Sequence, residues 1–136
     1  MRITIAGAGI GGLTTALFLH RLGHDVTVFE SVPEIRELGV GINLLPHAVR
    51  ELEKLGLVDQ VVASGVLTQE LLYFNKFGQR IWQEPRGRDA GYRWPQVSIH
   101  RGELQMILLR AVLERIGPSA VRTGVRFEQF RQSDHV

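Results

Sequence analysis

The sequence predicts an α/β fold built on a parallel sheet and interrupted by an inserted layer of helices and a β-hairpin. Three observations predict it. A short apolar run, Ile3 to Ala6, stops at a cluster of glycines, as a buried strand does. A β-branched and aromatic run, Val26 to Phe29, follows one helix-length later, so the two strands pair in parallel through a right-handed crossover. The next short strand of this kind, Ala120 to Arg122, comes only after residues 31–119, a stretch with helices and a hairpin of its own.

Each element has its own signal. Between the first two strands, Leu13, Ala16, Leu17 and His20 fall on one helical face, and Gly23 closes that helix. Gly39 to Leu45 reads as extended, with glycines at 39 and 41 where backbone bends or is approached closely. Pro46 suits the first turn of a helix whose apolar face is Ala48, Val49, Leu52 and Leu55, ahead of Gly56. A second short helix covers Leu57 to Ala63. Glu70 to Phe74 and Gln79 to Trp82 are strands joined by a turn at Asn75 to Gly78. Residues 84–96, with Pro85, Gly87, Gly91 and Pro95, read as a loop. Gly102 to Ile116 is a periodic helix with Leu104, Ile107, Leu108, Ala111 and Val112 inward. Val125 to Phe130 alternates like the first strand of a further sheet. The expected organisation is a core of residues 1–45 and 98–124, inserted helices and hairpin over 46–97, and the start of another sheet over 125–136.

Composition narrows the function classes. The 136 residues are 44% hydrophobic and 22% charged, the profile of one globular domain rather than of a disordered or collagen-like chain. Cysteine is absent, which excludes disulfides and thiolate metal sites. Sixteen Lys and Arg against 14 Asp and Glu leave a formal charge of +2, too little to steer the chain towards nucleic acid. Residues 3–19 are uncharged, but four glycines interrupt them, so they suit neither a secretory signal nor a membrane span. The expected location is the cytoplasm.

The strongest chemical signal is Gly7-Ala8-Gly9-Ile10-Gly11-Gly12, a G-x-G-x-x-G fingerprint between a strand and a helix. The first glycine allows a tight turn, the second lets backbone approach a pyrophosphate, and the third lets helix and strand pack closely. The helix N-terminus adds N–H groups and the positive end of its dipole. Glu30, at the end of the second strand, is placed to accept hydrogen bonds from a ribose diol, and an acid there disfavours the 2′-phosphate of NADP at this site. Together these make a Rossmann-like dinucleotide-binding unit, in which the fingerprint alone leaves NAD and FAD open.

The chain resembles the N-terminal third of the single-component FAD-dependent aromatic hydroxylases, the salicylate- and para-hydroxybenzoate-hydroxylase class. The matching stretches are GAGIGG at 7–12, FE at 29–30, Arg36 with GVGINLLPHAV at 39–49, LGL at 55–57 and SIHRGELQMILL at 98–109. Within that class, GQRIWQEPRG at 78–87 and YRWPQVSIHRGELQ at 92–105 look most like phenazine-1-carboxylate-type hydroxylases. The resemblance implies FAD as cofactor, NAD(P)H and oxygen as co-substrates, and a small aromatic substrate. It implies that Gly7 to Gly12 hold the FAD pyrophosphate and Glu30 the adenosine ribose. Arg36 and Arg101 match arginines that approach the phosphates or ribityl chain, Gln105 matches a residue facing the cofactor, and Gly41 would admit the flavin ring beside its strand. Against this, Arg36 and Arg101 also read as solvated surface arginines.

The departures from the class carry weight too. Its members share later motifs built on Asp-Gly and Gly-Asp, yet Asp25, Asp59, Asp89 and Asp134 have no glycine neighbour. The expectation is a truncated, N-terminal part of an FAD-binding domain in which no catalytic acid or base can be named. A rival reading is a non-catalytic dinucleotide-binding fragment. His20 and His24 flank Gly23, which argues against a metal site, and Glu84 and Asp89 dilute the arginines and tryptophans of 80–94, which argues against nucleic acid. His100 reads as orienting a strand-to-helix turn. The first strand is expected at an open sheet edge, which favours self-association.

Overall fold

A computed structural model describes residues 1–132. In chain order the elements are β1 (Arg2–Ala6), α1 (Ile10–Arg21), β2 (Asp25–Phe29), β3 (Gly41–Leu44), α2 (Pro46–Lys54), α3 (Val58–Ser64), β4 (Val66–Thr68), β5 (Glu70–Phe74), β6 (Arg80–Pro85), β7 (Gln96–His100), α4 (Arg101–Arg115) and β8 (Val121–Arg122). Single 3-10 turns cover Gly87–Ala90 and Pro118–Ala120. The chain divides into two compact units, residues 1–36 with 108 onward, and residues 37–107.

The first unit is a parallel sheet in the order β1-β2-β8. Arg2 lies opposite Asp25 and Ala6 opposite Phe29, while β2 meets β8 through Val28–Val121 and Phe29–Arg122. Val26 and Val28 point into the core, and α1 buries Leu13, Ala16 and Leu17. The expected helical face stops there. His20 is exposed, because in the last turn its polar ring gains more from water than from apolar packing. β1 has one neighbour among the described strands, and its Arg2, Thr4 and Ala6 are exposed.

The second unit holds an antiparallel sheet, β3-β7-β4, and the β5-β6 hairpin. Gly41 pairs with His100 and Leu44 with Val97, and on the other side Val66 pairs with Ser98. Helices α2 and α3 pack against β7, so that Val49, Leu52, Leu55, Leu57, Val61, Val97 and Ile99 are all buried. Pro46 occupies the first turn of α2, as expected. In the hairpin, Asn75 closes the turn by accepting the N–H groups of Phe77 (2.9 Å) and Gln79 (3.0 Å). Strand β4 is a three-residue element without a readable period. It lies close to β7 because Gly65 has no side chain: a Cβ there would stand 2.5 Å from a methyl of Val97.

Helix α4 bears out the periodic reading, since Leu104, Ile107, Leu108, Ala111 and Val112 are all buried. Val125 to Phe130, expected as a strand, carries no strand geometry. Alternation makes a strand only where a partner supplies a ladder, and no described strand pairs with this stretch. The rest of that expected sheet, residues 133–136, lies outside the described residues.

Candidate cofactor site

In the first unit the glycine fingerprint builds a concave turn. Gly7 takes φ +101°, a conformation open to glycine, and its N–H donates to the Phe29 carbonyl at 2.7 Å, tying the turn to the end of β2. Gly9 is the N-cap of α1 in extended conformation, and no side chain caps that end of the helix. A Cβ on Gly12 would overlap the Gly7 carbonyl and come within 3.4 Å of Ile5, so the third glycine is what allows α1 to close on the turn. Cβ atoms on Gly9 or Gly11 would meet no protein atom within 4 Å. Those two positions face open space, where a pyrophosphate would lie against backbone N–H groups.

Glu30 stands at the rim of this turn. Its Oε2 accepts the Ala8 N–H at 2.8 Å, and its Oε1 accepts the Val32 N–H and the Ser31 hydroxyl, both at 3.0 Å. Those N–H groups, Val32 first and then Ala8, hold its carboxyl below the ordinary glutamate value, against a smaller opposing effect of burial. The backbone here is tied as well: Glu30 N–H donates to Arg122, and the Glu30 carbonyl accepts from Val125, each at 2.9 Å. A carboxylate with about four lone-pair positions keeps acceptor capacity for a diol after these three bonds. Arg36, in the same unit, is exposed and paired with Glu34 at 2.6 Å.

Arg101 and Gln105 belong to the second unit. Arg101 opens α4, its N–H donates to Val40 at 3.0 Å, and its guanidinium reaches the Leu38 carbonyl at 3.5 Å. Gln105, one turn later, is half-buried. Gly41 of β3 is exposed and nothing lies within 4 Å of where a Cβ would stand. The backbone donors that engage Glu30 and the contact of Arg101 with segment 38–40 were not readable in the sequence. Only the glycines at 39 and 41 hinted at a close approach there.

The family model described as FAD binding domain matches residues 1–135 of this chain. The chain belongs to the FAD-binding-domain family. A phenazine 1,6-dicarboxylic acid hydroxylase of Lysobacter antibioticus is 55% identical over 132 residues, covering 96% of this chain and 32% of that protein. A 3-hydroxybenzoate 6-hydroxylase of Aquipseudomonas alcaligenes is 37% identical over 135 residues, covering 94% of this chain and 34% of that protein. Among solved structures, a Klebsiella pneumoniae HpxO variant complexed with FAD superposes with a TM-score of 0.80 at 28% identity, covering 98% of this chain and 34% of that one. The resemblance to aromatic hydroxylases is thereby borne out, as is FAD, the cofactor for which the family is named. The chain spans about a third of the length of the curated relatives it matches.

The residues present fit FAD. The two fingerprint positions that would face a pyrophosphate are open, the position that must pack against protein is closed, and an ionised carboxylate sits beside the turn. Among the described residues no cluster of three His, Asp or Glu side chains could hold a metal, and no helix is long and apolar enough to cross a membrane.

Proposed function

We propose that this chain is the FAD-binding portion of a flavin-dependent monooxygenase that hydroxylates a small aromatic substrate with NAD(P)H and O2. The observation that carries the reading is the open glycine turn with Glu30 bonded to Ala8, in a chain 55% identical to a phenazine dicarboxylate hydroxylase. When bound, FAD would supply the redox chemistry of such a reaction, with NAD(P)H as electron donor and O2 as oxidant. The protein's part in this stretch is binding and orientation. The Gly7 to Gly12 turn receives the pyrophosphate through its N–H groups from Gly9 onward, those of Gly7 and Ala8 being taken by Phe29 and Glu30, and Glu30 accepts the adenosine ribose hydroxyls. Arg36 and Arg101 approach the phosphates, whose charge they offset, or hydrogen-bond the ribityl hydroxyls, for which a planar five-donor guanidinium is suited. Gln105 faces the cofactor from the same edge of α4 as Arg101. Residues 46–97 are the inserted layer directed towards the substrate-binding part of such an enzyme. The catalytic acid or base is assigned to no side chain of this stretch, and the location is cytoplasmic.

The test is a fluorescence titration of FAD into the purified chain, followed by NADH oxidation with phenazine-1-carboxylate as the aromatic acid. Saturable flavin quenching with aromatic-stimulated NADH oxidation supports the whole reading. Flavin binding without turnover supports a binding module, and absence of flavin binding removes the reading altogether. A second, separate proposal concerns β1: its edge, unpaired among the described strands, pairs with the same edge of another copy.

A further inference from the structure

The start of α4 is fastened to segment 37–40 by contacts that depend on two glycines and a histidine. Gly39 takes φ +134°, and a Cβ there would stand 2.6 Å from Arg101 Nε and 3.2 Å from Arg101 Cβ and Cζ. The Arg101 side chain therefore lies across the bare face of Gly39. A Cβ on Gly102 would stand 2.7 Å from the Glu37 backbone, so the next residue is equally flush. The Gly39 carbonyl in turn meets His100 Nε2 at 3.0 Å. A carbonyl only accepts, so this geometry assigns the ring proton to Nε2. Gly39 is thus held from both sides, its oxygen by His100 and its α-carbon by Arg101.

We propose that Gly39 and His100 are positioning residues that set the direction of the Arg101 side chain. An exposed arginine ordinarily samples many rotamers, and fixing it beforehand lowers the entropy lost when it engages an anion. Gly39 supplies the slot along which the guanidinium stem lies, and His100 holds the slot's backbone in place. The consequence for FAD rests on the reading above that Arg101 meets the cofactor. The orientation of the side chain does not.

Two measurements separate these levels. In the ligand-free chain, the Arg101 Nε–H signal in a 1H–15N spectrum, assigned by its loss in R101A, should lie away from the free-arginine position. It should collapse to that position in G39A and in H100L, and persist in H100Q, whose amide can still donate. An unchanged signal in both G39A and H100L overturns the proposal. The second measurement is a double-mutant cycle on the FAD dissociation constant. R101A should weaken binding about tenfold, as expected for a lost charge-assisted hydrogen bond. G39A should weaken it comparably in the wild-type background and less than about threefold further in R101A, since coupled residues are non-additive. Independent, multiplying effects overturn the link from Gly39 through Arg101 to the cofactor. If the spectra behave as expected and R101A leaves FAD affinity untouched, the positioning stands and the cofactor role of Arg101 falls. H100L keeps the test open should G39A fail to fold.

Discussion

The Ala8 N–H donates to Glu30 Oε2 at 2.8 Å, joining the glycine turn to the end of the neighbouring strand across 22 residues. The acid expected to receive the ribose therefore also holds the turn that receives the pyrophosphate. Glu30→Ala should weaken FAD binding by about 1.5–3 kcal/mol, the range for bonds to a charged group. Glu30→Gln should cost less, because an amide oxygen still accepts one N–H. Calorimetric titration with FAD checks both, and equal affinity across the three proteins would reduce Glu30 to a strand terminus.

Acid should expose the same contacts. The Val32 and Ala8 N–H groups hold the Glu30 carboxyl below its ordinary value of 4.5, so the folded state binds its proton less readily than the unfolded chain. The stability they confer is complete above the unfolded value and is lost as pH falls through the lower folded one. The difference in unfolding free energy between wild type and Glu30→Gln should accordingly stay level from neutral pH down to about 5 and shrink below 4.5. Urea melts at stepped pH measure it. A difference that grows on acidification would contradict the assignment.

Two glycines of one motif should fail in opposite ways. Gly9 has backbone angles that valine tolerates, φ −71° and ψ 178°, and open space beyond its α-carbon. Gly9→Val should leave thermal stability within about 0.5 kcal/mol while abolishing FAD binding by occupying the pyrophosphate's place. Gly12→Ala drives a methyl into the Gly7 carbonyl and should cost about 1–3 kcal/mol of folding stability before any ligand is added. Melting curves and FAD titrations of the pair should separate cleanly; a stability loss at Gly9 matching that at Gly12 would mean the turn has no open side.

The edge of β1 that no described strand pairs should show in solution. Sedimentation across a concentration series is expected to reveal association, and Thr4→Lys, at an exposed position of that strand, should raise the monomer fraction. A wild-type chain that stays monomeric throughout would remove the proposed edge pairing.

What the sequence disclosed and what it hid follow from the range of the forces involved. The buried stripe of α4 was legible because five apolar residues recur at helical spacing, and the glycine fingerprint because each glycine answers a local steric need. Sheet β3-β7-β4 was not, since β7 is recruited by partners such as Asn43, whose side-chain oxygen takes the Ser98 hydroxyl across 55 residues. The bonds to Glu30 come from main-chain N–H groups, which every residue carries and no composition betrays. Val125 to Phe130 misled for the converse reason: its alternation is real, but pairing is a property of two strands.

The parallel sheet of the first unit also sets an order of events in time. Val28 meets Val121, 93 positions later (121 − 28), so β2 cannot gain its second neighbour until residue 121 has left the ribosome. Residues 37–107 emerge before that, and every strand pair of their own unit is available by residue 100. The second unit can thus close while β1 and β2 still wait as a two-stranded pair, a minimal sheet with little stability of its own. Docking of β8, two residues long, is then a late step in closing the β1-β2-β8 sheet, and until it occurs the outer edge of β2 is the surface a chaperone would have to guard.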